Sequence, residues 1–279
     1  MKKVTIGIIG AGRIGQLHAE NILNSRLLEL KAISDIQLEH LKGTAYEQDV
    51  PVITTSAESV IADPDIDAVF ICSSTDTHAG YIKAAAKAGK HVFCEKPVSF
   101  TIEETKEALQ AVSEAGVKLQ VGFNRRFDKH FRKVYETVRA GKIGAPHIIK
   151  ISSRDPEAPP EEYLKRSGGI FIDMTIHDFD MVRYLTGSEV TEVSVKAANL
   201  LGEGFKRCDD VDTAVITLTL DNGAIAVIDN SRQAVYGYDQ RIEVFGEHGS
   251  VSAENEPQTN VRLATKAVVE IDHPMHFFS

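Results

Sequence analysis

Residues 4–23 read VTIGIIGAGRIGQLHAENIL, and this stretch decides the fold. Val4–Ile9 is a short apolar run rich in β-branched residues, which predicts a strand buried on both faces. Ile14–Leu23 follows with apolar residues at helical spacing. The turn between them carries Gly10, Gly12 and Gly15 in the pattern G-x-G-x-x-G. Glycine triplets occur by chance in loops, so the pattern means little alone. Here it closes a predicted strand and opens a predicted helix, the context a dinucleotide requires. Gly10 allows the tight turn, Gly12 removes a side chain where a pyrophosphate must approach, and Gly15 lets helix and strand pack closely. The helix start at Arg13 and Ile14 then turns its partial positive charge toward the phosphates. Gly10, Gly12, Arg13, Ile14 and Gly15 are therefore candidate coenzyme-binding positions.

Asp35 lies about 20 residues beyond the last glycine, after the second apolar run Leu28–Ser34, where an acid hydrogen-bonds the adenosine ribose. A carboxylate there repels a 2′-phosphate, and Ile36 and Gln37 supply no arginine to hold one. The predicted coenzyme is NAD and not NADP. The competing reading of Asp35 is a cap on the next helix.

The same alternation continues. Ala68–Ile71, His91–Cys94 and Lys118–Val121 read as strands, Val52–Thr54 as a short extended piece, and Gln37–Glu47, Thr77–Ala88 and Ile102–Ala115 as helices. This predicts a doubly wound parallel sheet of the Rossmann type over residues 1–121. Ligands in such sheets lie beyond the carboxyl ends of the strands. The segments Cys72-Ser73-Ser74-Thr75-Asp76-Thr77-His78 and Cys94-Glu95-Lys96-Pro97 follow two of those ends. They add Ser73, Thr75, His78, Glu95 and Lys96 to the coenzyme candidates, with simple helix capping as the alternative for Ser73 and Thr75.

After Val121 the pattern changes. Lys129–Ala140 reads as a helix ending at Gly141, and residues 155–169 (DPEAPPEEYLKRSGG) as a loop. Ile176–Leu185 is helical. From His147–Ser153 and Val190 onward strand-like runs dominate: Val190–Asn199, Asp212–Leu220, Ala224–Arg232, Gln240–Phe245 and Val261–Ala264. Asp221-Asn222-Gly223 and His248-Gly249 suit antiparallel turns. Residues 122–279 are thus expected to form an α+β domain with a large, mostly antiparallel open sheet. The chain as a whole is α/β.

Bulk properties exclude several functions. The 279 residues carry a formal charge of −9 and no basic run, which disfavours nucleic acid and anionic membrane surfaces as partners. No apolar run reaches the ~18 residues a membrane span needs. Three unpatterned cysteines, Cys72, Cys94 and Cys208, suggest reduced thiols in a cytoplasm, with no disulfide frame and no metal site.

Taken in order, GAGRIG, SSTDTH, CEKP, GFNRRFD and GGIFIDMTIHDFDM resemble the Gfo/Idh/MocA oxidoreductase family, most of all its inositol 2-dehydrogenase branch, over the whole chain. The resemblance implies NAD-dependent oxidation of a ring hydroxyl of an inositol or related cyclic polyol or sugar to the ketone. It implies Lys96, Asp173 and His177 as catalytic residues, with His177 moving the proton. It implies that Lys96, Asp173, His177, Arg125, Arg126, Asp155 and Tyr236 meet the substrate, and that the open sheet packs on another copy in a homo-oligomer, a dimer or tetramer. Two other readings stand beside it: a non-catalytic dinucleotide-binding protein, and an NAD-using glycosidase.

The residue types suit the chemistry. Imidazole titrates near neutral pH and accepts a hydroxyl proton. A lysine ammonium favours the developing alkoxide. Asp173 precedes His177 by one helical turn, so the two share a face, although Asp173 also reads as an N-cap if the helix starts at Met174. Asp178 and Asp180 read as solvated or salt-bridged. Arg125-Arg126 reads alternatively as surface charge, Asp155 as a turn initiator and Tyr236 as a packed hairpin aromatic. The chain ends at Phe277-Phe278-Ser279, whereas the resemblance implies further helices beyond such a segment. Their absence would expose apolar surface and put turnover in question.

Overall fold

The computed structural model describes residues 2–272; the Phe277-Phe278-Ser279 terminus lies outside the described residues. The chain divides into two compact units, Met1–Gly122 and Phe123–Ser279.

In the first unit, strands β1 (Val4–Ile9), β2 (Leu28–Ser34), β3 (Val52–Thr54), β4 (Ala68–Ile71), β5 (His91–Glu95) and β6 (Leu119–Gly122) alternate with helices α1 (Arg13–Leu23), α2 (Ala45–Asp49), α3 (Ala57–Ala62), α4 (Thr75–Lys87) and α5 (Ile102–Ala115). All pairings are parallel, in the order β3-β2-β1-β4-β5-β6. The order reverses direction beside β1, which makes the gap between β1 and β4 the topological switch point. One apolar cluster lies on each face of the sheet. Ile9, Val69, Ile71, Ile82 and Ala85 belong to one; Ile6, Ile8, Ala19, Ile22 and Ile33 belong to the other. This double burial is why the strands read as continuous apolar runs.

Two local expectations change. Gln37–Glu47 is not one helix: a 3-10 turn at Glu39–Leu41 is separated from α2 by Gly43 at φ +72, a conformation that breaks helical propagation. Helix α3 was not expected; Ser56 caps it by accepting from Ser59 N at 3.1 Å.

The second unit runs α6 (Lys129–Arg139), β7 (Pro146–Arg154), α7 (Glu161–Ser167), a π-helical turn (Phe171–Thr175), α8 (Ile176–Thr186), β8 (Val190–Ala198), α9 (Glu203–Arg207), β9 (Thr213–Leu220), β10 (Ile225–Ser231), β11 (Asp239–Gly246) and β12 (Gly249–Ala253). A small hairpin, β13 (Arg262–Ala264) with β14 (Val269–Ile271), follows. The main sheet has the order β12-β11-β7-β10-β9-β8, antiparallel except for the central pair β7 and β10. Phe131, Val134 and Val138 of α6 and Met181, Val182 and Leu185 of α8 cover one face, packing on Ile149, Ile151, Ile216, Ile228 and Val244. On the opposite face Phe245, Ile148 and Ile225 are neighbours in register and 37–47% exposed.

The segment expected as a loop at 155–169 contains α7. Pro160 stands at its N-cap and Gly168, at φ +80, closes it, so these residues punctuate a helix here instead of precluding one. Strands β12 and β14 were likewise not expected.

Candidate functional site

In the first unit the glycine turn is built for close backbone approach. Gly10 has φ +92, and a Cβ there would stand 2.5 Å from Ser73 N. A Cβ on Gly15 would stand 2.0 Å from Gly10 O. A Cβ on Gly12 would meet nothing within 4 Å. Two glycines are therefore required by the fold itself, while the third leaves open space at the N-terminus of α1, a cradle that fits a pyrophosphate. Arg13 and Ile14 form the first residues of α1 behind it.

Asp35 closes a local turn and is tied to the glycine turn; it does not cap a helix, since Leu38 stands at the N-cap of the 3-10 turn that follows. Its carboxylate accepts from Gln37 N at 2.8 Å and from Ala11 N at 2.6 Å. A carboxylate offers about four acceptor positions, so capacity remains for ribose hydroxyls. His40, not singled out from sequence, fastens the same turn through Nε2 to Ala11 O at 2.9 Å.

The carboxyl ends of β1, β4 and β5 are in register, Ile9 beside Ile71 and Ile71 beside Cys94. Gly10, Ser73 and the Glu95-Lys96 pair consequently follow one sheet edge. Ser73 Oγ lies 2.6 Å from Thr77 Oγ1, so it helps shape the start of α4, of which Thr75 is the first residue. His78 is 1% exposed. Its Nδ1 lies 2.7 Å from Pro97 O and its Nε2 3.0 Å from Ser73 O, so the ring joins the two loops from inside. Glu95 Oε1 lies 2.7 Å from His18 Nε2, and the His18 ring stands edge-on to the stacked Phe70 and Phe93. This anchors the residue before Lys96, whose peptide to Pro97 is cis. Burial pushes the Cys72 and Cys94 thiols up, so neither serves as a thiolate nucleophile.

In the second unit the polar residues gather at the carboxyl ends of β7 and β10, where Arg154 and Ser231 are in register. Asp155 and Arg232 directly follow these two strands. Arg232 reaches Asp155 Oδ2 through Nη1 at 3.1 Å and Asp173 Oδ2 through Nη2 at 2.9 Å. Tyr163 of α7 donates to Asp173 Oδ1 at 2.8 Å. Burial raises the Asp155 carboxyl above its ordinary value, with Arg232 opposing the shift, and burial beside Asp173 raises the Tyr163 phenol. Asp173 lies inside the π-helical turn, which corrects the reading of it as an N-cap at Met174. A π turn merges here into α8, whose first turn carries His177; such irregular turns recur at functional sites. The Phe123 and His177 rings meet at right angles with centroids 6.3 Å apart.

Arg125 and Arg126 are held by the two aspartates of α8. Arg125 is buried against Asp178, which is 0% exposed and also accepts from Ser153 Oγ at 2.6 Å and Asn230 Nδ2 at 2.8 Å. Arg126 binds Asp180 with two nitrogens, at 2.6 and 2.8 Å, and lies over the Tyr184 ring. Asp178 and Asp180 are therefore internal ion-pair members and not solvated. Tyr236 donates to Asp239 at 2.7 Å and accepts from Arg154 at 2.9 Å. Tyr163 and Arg232 were not singled out from sequence: the first fell in a segment read as loop, and the second closed an ordinary-looking strand. Among the described residues no group of three or more His, Cys, Asp or Glu is arranged to hold a metal, and no helix is long and apolar enough to cross a membrane.

Comparison with known proteins gives a consistent result. Residues 4–123 match the oxidoreductase family domain with an NAD-binding Rossmann fold, and residues 131–252 match the GFO/IDH/MocA C-terminal domain. The uncharacterized oxidoreductase YrbE of Bacillus subtilis is 57% identical over 99% of this chain and 81% of its own length. The myo-inositol 2-dehydrogenase of Thermotoga maritima is 48% identical over 98% of this chain and 82% of its own. The crystal structure of scyllo-inositol dehydrogenase from Lactobacillus casei with bound NAD(H) and scyllo-inositol superposes with a TM-score of 0.91 at 31% identity, covering 99% of this chain and 84% of that one.

Proposed function

The chain belongs to the Gfo/Idh/MocA oxidoreductase family, and on that footing we propose that it oxidises a ring hydroxyl of an inositol to the ketone with NAD as coenzyme. The observation that carries this reading is the shared sheet edge of the open glycine turn and Lys96, in a chain 48% identical to a myo-inositol 2-dehydrogenase.

Bound NAD supplies the two-electron acceptor at its nicotinamide ring. Gly10, Gly12, Arg13, Ile14 and Gly15 hold the pyrophosphate, and Asp35 selects the unphosphorylated ribose. Ser73, Thr75 and Glu95 shape the remaining coenzyme loops, and His78 acts through them. His177 accepts the hydroxyl proton. Lys96 stabilises the oxygen as it gains negative charge. Asp173 orients the hydroxyl, and Asp155 and Tyr236 bind further ring hydroxyls. Arg125 and Arg126 contribute by fixing Asp178 and Asp180, and so the course of α8, instead of by touching substrate. The three free cysteines fit a cytoplasmic enzyme. The exposed row Phe245, Ile148 and Ile225 is the surface on which a second copy packs, giving a dimer or tetramer.

The test is direct. Purified protein with NAD and a panel of inositols should produce NADH, read by absorbance. Lys96→Ala and His177→Ala should each lose turnover by at least about 100-fold while retaining NAD affinity. Bound NAD without NADH formation from any cyclic polyol would overturn the assignment, and release of an aglycone from a chromogenic glycoside without net NADH would replace it.

A further inference from the structure

Arg232 is 3% exposed in its side chain, yet it sits between two carboxylates and carries an Nε that is buried without a hydrogen-bond partner among the described residues. A buried donor left unmatched is costly and calls for a reason. The backbone around the guanidinium is fixed. Asp155 N donates to Ser231 O at 3.0 Å, Ala234 N donates to Asp155 O at 2.6 Å, and Arg232 N donates to Asp212 O at 2.9 Å. Asp155 and Arg232 are thus tied by backbone hydrogen bonds at the ends of β7 and β10. Asp173 is different, because it rides on the π-helical turn outside the sheet. Two contacts pin that turn to β10 and its end: Thr175 Oγ1 to Asn230 Oδ1 at 2.6 Å, and Arg232 Nη2 to Asp173 Oδ2 at 2.9 Å. Tyr163 takes the other oxygen of Asp173, so the plane of that carboxylate is set from both sides.

We infer that Arg232 is the positioning residue of the second unit: its planar fork clips the π-helical turn to the sheet, fixes Asp173, and thereby sets the start of the helix that bears His177. Only a guanidinium spans two carboxylates with separate nitrogens in one plane; a lysine is a point charge and reaches one of them well. The inference rests on the dehydrogenase reading above for its kinetic consequences, but not for its structural one.

The experiment uses Arg232→Lys, Arg232→Met, Asp173→Asn and the double variant Arg232→Met/Asp173→Asn in the full chain, after wild-type turnover on an inositol has been shown. Arg232→Met should lower kcat about 100-fold and Arg232→Lys about tenfold, with KM for inositol changing less and NAD affinity within about twofold of wild type. The double variant should be no slower than Asp173→Asn alone, because both substitutions disable the same group. A double variant slowed by the product of the single effects, or Arg232→Lys with wild-type kcat, would overturn the inference. Should the methionine variant not fold, Arg232→Lys and its double with Asp173→Asn decide by the same criteria. A wild type that turns over no polyol defeats the functional reading instead. The crystal structure of Arg232→Lys then decides: the Asp173 carboxylate should shift from the position it holds between Arg232 and Tyr163, and an unmoved Asp173 refutes the positioning role.

Discussion

Gly12→Ala separates what the fold needs from what the coenzyme needs. At Gly12 the backbone is extended, φ −64 and ψ −170, and a Cβ meets nothing within 4 Å. Alanine fits there, and reduced freedom of the unfolded chain favours folding by about 0.4–1 kcal/mol. Alanine is a poorer N-cap than glycine by a similar amount, so the two effects nearly cancel. For a chain of this size the melting temperature without coenzyme should move by less than about 2 °C. With NAD the outcome differs. The added methyl occupies the open space before α1 and weakens one charge-assisted hydrogen bond to the pyrophosphate, worth about 1.5–3 kcal/mol. That is a loss of about 10–100-fold in affinity. At a free NAD concentration of about 100 times the wild-type Kd, wild type gains about 2.7 kcal/mol, whereas the variant gains about 0.4–1.4 kcal/mol. Thermal melts with and without NAD, supported by calorimetric titration, read both quantities. Gly15→Ala is the control: its Cβ would stand 2.0 Å from Gly10 O, and overpacking against backbone should cost about 1–3 kcal/mol without any ligand. Wild-type NAD affinity in Gly12→Ala would refute the assignment of the open space to the pyrophosphate.

Asp35→Ala should weaken NAD by about tenfold and raise the NADP to NAD ratio of kcat/KM if, as proposed, the carboxylate holds the ribose and repels a 2′-phosphate; an unchanged ratio would remove Asp35 from coenzyme selection. Asp178→Asn should cost about 3–5 kcal/mol, because it removes the buried charge that Arg125, Ser153 and Asn230 share. Thermal unfolding should then occur about 6–20 °C lower, and a drop under about 3 °C would show that the pair contributes little. Asp239 gives a pH dependence. Burial opposes its charge, but donors from Arg241, Tyr236 and Asn255 prevail and hold the carboxyl below its ordinary 3.8. A depressed folded-state value means stability present above the unfolded value and lost as pH falls through the folded one. The stability gap between wild type and Asp239→Asn in urea should therefore be full at neutral pH and shrink below about pH 4; a gap that widens toward acid would contradict the sign.

The first unit was largely legible because its signals are local. The glycine turn, the acid after β2 and the double-buried strands each declare themselves within a few residues. The segment 155–169 misled because proline and glycine mark boundaries without saying what lies between them, and Glu161–Ser167 is a helix between Pro160 and Gly168. The π-helical turn at Phe171–Thr175 has no sequence signature separate from an ordinary helix. The Arg232 bridge was illegible for a different reason. Its partners are 77 and 59 residues away: the parallel pairing of β7 with β10 brings Asp155 to it, and the packing of the π-helical turn brings Asp173. The proposed roles of Lys96, Asp173 and His177 rest on the resemblance of their surrounding motifs, since a lone lysine, aspartate or histidine says little.

That parallel pairing has a consequence for the order of assembly. During synthesis β7 emerges long before β10 and β11, the strands that flank it, so its pairing waits for the intervening chain. Until β10 docks, the Tyr163–Asp173 contact can form, but Asp155 and Asp173 lack the guanidinium they share. On the proposed roles of Asp155 and Asp173, a chain stalled with an unfinished sheet should bind NAD through its first unit and yet be silent toward a polyol.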